Sequence, residues 1–502
     1  MRLRTHLTPA LLFLVGLISV LAASAVTGPA FDEVPRLAAV DAAQPLIRRI
    51  ADQGPSALWS AEGAQSLSRL GTPFTFFSLL GAWASLSLGR LGIFDLITAA
   101  RLPLLLVSAL APVALFAMLR PRWGDRAGIL CAVALLCTPR FLHEAAVTST
   151  SIFLTSIALL VAAFGQAARS GPRRLRHTLG ACLTLALGAA HSLAVLWIVL
   201  ALLLAHGARS FRLRRSGPGF SGVPAWLLPG LAAIPAGMLL LNPALWKSGS
   251  VGIARFALSP LAVSVSPTWY LGTLVQAPPL PGAYPALWLL WTTPLAMLVA
   301  AALALPLLLR KPGLGAGWRA GPVADLSALA LLGLCSALMP SLLLRFPFFL
   351  GLALPLVAVA FVWTVITLEP SVPRVARAVA PAVVVLTALP GLLELPTAGA
   401  GFGVLSGGTA TVLTTRTLDA GDGSELASLA PAVDALGHEQ LSVALPARVP
   451  KGYFDRLHDS KRMRTRITAR SPNANATLSA GPGPAAAAVT RDGAVLWRLE
   501  TH

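Results

Sequence analysis

The sequence predicts an all-α polytopic membrane bundle of about eleven transmembrane helices, followed by a small C-terminal α/β domain outside the membrane. Three observations predict it. The chain has 502 residues, 56% hydrophobic and only 12% charged, with a mean hydropathy of +0.74. Soluble domains carry about 25% charged residues, so a chain this long and this apolar must present many lipid-facing segments. Its arginines stand in short blocks between apolar runs, and beyond residue 396 Gly, Thr, Asp and Ser replace those runs.

The candidate spans are 8–27, 101–119, 127–139, 147–168, 178–190, 192–206, 222–241, 284–309, 324–341, 346–368 and 378–395. Three of them, 127–139, 178–190 and 192–206, fall short of the roughly 20 residues a crossing helix needs. The basic residues test the arrangement. Arg2 and Arg4 open the chain; later blocks are Arg120/Arg122/Arg126, Arg169/Arg173/Arg174/Arg176, Arg209/Arg212/Arg214/Arg215, Arg310/Lys311/Arg319 and Arg374/Arg377. With these spans every block falls on one side, which the positive-inside rule makes the cytoplasm. The N-terminus is then cytoplasmic and the C-terminal domain extracytoplasmic. The net charge of +19 reads as cytoplasmic loops, and no nucleic-acid partner is expected. Ala23-Ser24-Ala25 after the basic N-terminus also fits a signal-peptide site, but the long apolar stretch and the spans that follow favour an anchor. An Ala-, Leu-, Arg-, Gly- and Pro-rich composition fits a high-GC bacterium, whose cytoplasmic membrane would hold the chain with its outer face in the periplasm.

Cys131, Cys137, Cys182 and Cys335 all lie in apolar runs without a C-x-x-C spacing. They read as small buried hydrophobes, not as a disulfide framework or a metal site. Two segments remain for the outer face. Residues 28–100 form a first outer loop, with Thr72–Leu88 lying along the interface. Residues 242–283 form a second, rich in Pro, Gly and aromatics. In the tail, Leu441–Leu445 and Ala494–Leu499 alternate as strands do.

The spans hold almost no ionisable groups, which argues against an ion-coupled transporter, and no Walker A sequence is present. Chemistry is therefore expected at the outer face. Asp32-Glu33 stand just past the first span, where a carboxylate can meet a lipid-linked substrate and take a proton from an attacking hydroxyl or amine; ordinary solvated loop acids are the alternative. In the second loop, Lys247 and Arg255 can pair with a phosphate. Trp269 and Tyr270 either stack on a sugar or sit in the aromatic belt. Arg345, in a short outer turn, either contacts phosphate or snorkels.

The order of these places carries a resemblance. Phe31-Asp32-Glu33 follows the first span, Arg101-Leu102-Pro103 opens the second and Pro139-Arg140-Phe141 precedes the fourth. Asn242-Pro243 with Leu245-Trp246, Tyr270-Leu271-Gly272, Leu280-Pro281 with Tyr284-Pro285, Thr293-Pro294, Arg345-Phe346 and Leu354-Pro355 follow. By these residues, over most of 1–395, the chain resembles the GT-C superfamily of membrane glycosyltransferases, in the glycosyltransferase family 39-like branch of protein O-mannosyltransferases and lipid A aminoarabinose transferases. The resemblance implies a GT-C transmembrane domain over 1–395 and a small domain over 396–502. It also implies a polyprenyl-phosphate sugar donor, a lipid, protein or glycan acceptor, and Asp32 as the first-loop aspartate that acts as base or orients the acceptor.

The chain departs from that pattern. Gly71-Thr72-Pro73 stands where many relatives have His-Pro. Thr148-Ser149-Thr150-Ser151 replaces a second Asp, and His191-Ser192 stands where relatives often have Lys. Ser151 does not hold a divalent cation as Asp would, so a metal cofactor has little support; nearby His143 and Glu144 are candidates to compensate, with an interface role the alternative for His143. The leading expectation is an integral membrane glycosyltransferase. A catalytically silent relative that binds a lipid carrier or partner, and a transporter or flippase, are the alternatives.

Overall fold

The computed structural model of the chain describes residues 2–30, 33–58, 60, 62–63, 76–168, 174–216, 224, 226–258, 268–270, 273–275, 283–310, 322–338, 350–368, 429–436, 440–444, 449, 453–469, 476–480, 487–491 and 494–501. Helices occupy each expected span except 378–395, which lies outside the described residues. Three are long and apolar enough to cross a membrane: Leu7–Val26, Leu96–Leu136 and Thr150–Ala167.

Helix α1 (Arg2–Val26) shows how the bundle is built. Leu7, Leu11, Leu14, Val15 and Ile18 recur at helical spacing and are each about half exposed, forming a lipid-facing stripe. Val20 and Ala23, turned the other way, are buried in the main apolar cluster. Gly16 lets α1 approach Ala109, whose carbonyl oxygen would lie 3.3 Å from an added Cβ.

Ala109 belongs to the segment Leu96–Leu136, which is broken at Gly124 (φ 80°, ψ 170°). A Cβ on Gly128 would lie 2.9 Å from the Phe116 ring. In one straight helix residues twelve apart are separated by about 18 Å, so the chain folds back at Gly124, where a left-handed φ favours glycine. Arg120 pairs with Asp125 across this turn (2.6 Å). The expected spans 101–119 and 127–139 are the two arms.

Between residues 28 and 100 the described residues are largely helical. Helix α2 (Val34–Gln53) buries Leu37, Val40, Ala43 and Leu46 on one face. Helix α3 (Phe76–Ala84) runs into a π-turn at Ser85–Gly89. In the second loop, helix Pro243–Leu258 breaks at Gly249 and a hairpin pairs Thr268–Tyr270 with Thr273–Val275. Asn242 fastens this loop to the bundle: its Oδ1 accepts from Phe76 N (2.6 Å), and its Nδ2 donates to the carbonyls of Ala190 (2.9 Å) and Met238 (3.1 Å). The expected span 284–309 is two helices, Tyr284–Thr292 and Leu295–Arg310, because Pro294 cannot donate to the helical ladder.

In the tail, strands at Gln440–Ala444, Arg466–Ala469, Ala476–Ala480, Ala487–Arg491 and Ala494–Thr501 form one mixed five-stranded sheet. Tyr453–Asp459 is a short helix against it. Tyr453, Phe454 and Leu457 share an apolar cluster with Val34 and Leu37 of α2 and with Ile97. The tail therefore packs on α2 and on the start of the helix that begins at Leu96.

Candidate functional site

The site begins with an unsatisfied helix end. The last carbonyls of a helix lack intrahelical partners and carry partial negative charge. At the end of α1 these are filled by Arg101, 1% exposed and one turn into the helix that starts at Leu96. Its Nη1 donates to the carbonyls of Ser24 (3.2 Å) and Thr27 (2.9 Å) and to Ser24 Oγ (3.2 Å), and its Nη2 donates to the Gly28 carbonyl (2.7 Å).

The same guanidinium clamps Glu33, which is fully buried. Nε donates to Glu33 Oε1 (2.8 Å) and Nη2 to Oε2 (2.7 Å), a bidentate fork that only arginine supplies. Glu33 also accepts from Thr148 Oγ1 (3.1 Å) and from Ala30 N (3.2 Å). Arg36 lies 4.0 Å from Glu33 and donates to the Val147 carbonyl (3.3 Å). Together with Phe77, Ser78 and Leu104, the side chains of Glu33, Arg36, Arg101 and Thr148 line a small pocket.

Thr148 reaches Glu33 through a left-handed backbone (φ 53°), unusual for a β-branched residue. The helix Pro139–Ala146 ends in paired bonds, Ser149 N to Glu144 O (2.8 Å) and Thr148 N to Ala145 O (3.0 Å). That is a Schellman closure, which puts Thr148 at the position glycine usually takes.

A second arginine reaches the same helix end from the tail. Arg462 donates to the carbonyls of Thr27 (2.7 Å) and Ser24 (3.0 Å), to both oxygens of Asp95 (3.2 and 3.0 Å) and to Thr98 Oγ1 (3.0 Å). Asp95 is the N-cap of the Leu96 helix, accepting from Ile97 N and Thr98 N. Burial pushes its carboxyl up, but the Arg462 charge and hydrogen bond, with those of Thr98, outweigh this and hold it below the usual carboxylate value.

Of the residues singled out in the sequence, Glu33 lies at the centre of this cluster. Asp32 and Arg345 lie outside the described residues, and so do the side chains of Lys247, Trp269 and Tyr270. Lys247 and Arg255 fall on opposite sides of the Gly249 break, with Arg255 exposed. His143 is buried in the Pro139–Ala146 helix. Ser151 Oγ accepts from Gly351 N (3.2 Å), and a Cβ on Gly351 would lie 2.5 Å from it, so the space of a carboxylate is taken. No group of three or more His, Cys, Asp or Glu suited to a metal occurs among the described residues. Sequence reasoning passed over Arg101 as a partner, although an ionisable residue opening an apolar span is itself a signal. Arg462 gave no signal.

The fold and the site define a polytopic helical membrane protein with a polar, charge-paired cluster where its first helix ends. No protein-family model matches the chain, and no curated protein matches it. Among solved structures it is similar to ArnT from Cupriavidus metallidurans in the apo state, at 13% identity over 98% of this chain and 97% of that one, with a TM-score of 0.49. It is similar to the same protein bound to undecaprenyl phosphate at 12% identity over the same shares, with a TM-score of 0.44. The apo Archaeoglobus fulgidus oligosaccharyltransferase is similar at 12% identity over 92% of this chain and 65% of that one, with a TM-score of 0.43.

Proposed function

We propose that the chain is an integral membrane glycosyltransferase that moves a sugar from a polyprenyl-phosphate donor to an acceptor at the outer face of the membrane. The buried Glu33–Arg101 pair carries the reading. It holds the backbone on both sides of Phe31-Asp32: Gly28 and Ala30 before, and the start of α2 after. A carboxylate that must take a proton from an attacking group works only when held in place. In this reading Asp32 is the base and Glu33 positions it.

The acceptor forms its bond to the anomeric carbon as the bond to the donor phosphate breaks. The acceptor proton goes to Asp32, and the anomeric centre inverts as in one-step glycosidases. The departing phosphate needs cationic compensation, which Lys247, Arg255 or Arg345 supplies. Trp269 and Tyr270 stack on the sugar, and His143 is a further contact. No step runs through a metal: Glu33 is committed to Arg101 and Thr148, and Ser151 to Gly351.

The test is transfer from a panel of radiolabelled polyprenyl-phosphate sugars, using membranes that carry the wild type or Asp32→Asn. Loss of a general base should lower transfer by about 10²–10⁴-fold, and the active donor names the sugar. A wild type that transfers nothing, yet binds donor lipid as well as the variant does, would sink the reading. It would leave a lipid-carrier-binding protein, the reading that Ser151 in place of a second carboxylate favours.

A further inference from the structure

Among the described residues of the tail, Arg462 reaches into the site with hydrogen bonds. Arg462 and Arg101 share two acceptors, the carbonyls of Ser24 and Thr27. Two guanidinium groups this close repel, and each has its own carboxylate: Glu33 for Arg101 and Asp95 for Arg462. The end of α1 is thus gripped from within the bundle and from outside it.

Arg462 is itself held rigidly. The helix Tyr453–Asp459 closes with Arg462 N to Leu457 O (2.9 Å) and Lys461 N to His458 O (2.9 Å), a Schellman turn with Lys461 in the left-handed region (φ 62°). The Tyr453, Phe454 and Leu457 contacts with Val34, Leu37 and Ile97 set this turn against the membrane helices. Arg456 paired with Asp41 closes the outer rim.

We propose that Arg462 is a positioning residue of this site, through which the C-terminal unit fixes the loop 24–30 ahead of Glu33. Its fork reaches Asp95, Ser24 and Thr27 at once, and a lysine is a point charge that does not span them. Without Arg462 the loop keeps Arg101 and does not unfold; it loosens.

The test is amide hydrogen exchange of segment 24–37 in the full-length protein in nanodiscs. Wild type is compared with Arg462→Ala, Arg462→Lys, Asp95→Asn and the rim control Arg456→Ala. Exchange should rise about tenfold in Arg462→Ala, the factor that losing a charge-assisted hydrogen bond corresponds to. It should rise less in Arg462→Lys, with Thr150–Ala167 unchanged. If Arg462→Ala does not fold, Asp95→Asn decides, because Asn keeps the helix cap while removing the charge. Unchanged exchange in Arg462→Ala and Asp95→Asn overturns the proposal, and so does an equal rise in Arg456→Ala. A second readout rests on the transferase reading: kcat for transfer falls in Arg462→Ala with the donor KM kept. A wild type without transfer removes that reading and leaves the exchange result to decide this one.

Discussion

Glu33 and Arg101 are each out of water, so their attraction is set against the desolvation of both. Such a pair adds little net stability, but removing one member strands the other. Glu33→Ala should therefore cost about 3–5 kcal/mol, read as unfolding in detergent. A Glu33→Ala variant as stable as wild type would refute the ion-pair account. The pair is retained for geometry: it orients a loop. Thr148 points the same way, since a β-branched residue in the left-handed region costs of order 1–3 kcal/mol and persists where its surroundings demand it. Both acids were visible in the sequence as Asp32-Glu33. That Glu33 is an inward partner was not, because its arginine lies 68 residues on.

Helices whose apolar pattern is interrupted by charges and prolines were the harder elements to read. Leu37, Val40, Ala43, Leu46 and Ile50 carry helical spacing through α2, yet Pro35, Pro45 and five charged residues disguise it as loop. Pro35 lies in the first turn, where its missing N–H has no partner to lose. The short candidate 178–190 is a fragment of the helix Arg174–His191, whose basic first turn hid its start. By contrast Leu441–Leu445 and Ala494–Leu499 announced the strands Gln440–Ala444 and Ala494–Thr501, since alternation is a local signal. The closing turn of Tyr453–Asp459 gives a prediction at this scale. Lys461→Gly relieves a left-handed side-chain residue and should stabilise the tail by about 0.5–1 kcal/mol, measured as a rise in its denaturant midpoint; a fall would mean Lys461 makes a contact worth more than the strain.

Across the whole molecule, tail and bundle meet through charges and an apolar seam, and the charges make docking depend on pH. The Asp95 carboxyl is depressed in the folded state. Its contribution is full above the ordinary carboxylate value near 3.9 and is lost as pH falls through the lower folded value. Asp434, whose burial is outweighed by the backbone N–H groups of Arg464 and Thr465, has the same sign. Protection of the tail from protease should therefore be flat from about pH 5 to 7 and decline below about pH 4. Asp95→Asn should lie below wild type at neutral pH and converge with it in acid; parallel curves would remove Asp95 from the interface. None of this docking was legible in the sequence, because Asp95 and Arg462 lie 367 residues apart and nothing local marks either as a partner.

That separation has a consequence in time. The arginine that completes the hydrogen bonding of Ser24 and Thr27 is synthesised 438 and 435 residues after them. At roughly 5–20 residues per second, the first helix waits about 20–90 seconds for its last partner. The two sides of this cluster are made far apart in time, so a chain whose helices are already inserted still lacks Arg462 at the end of α1 until its C-terminal unit has been made and folded.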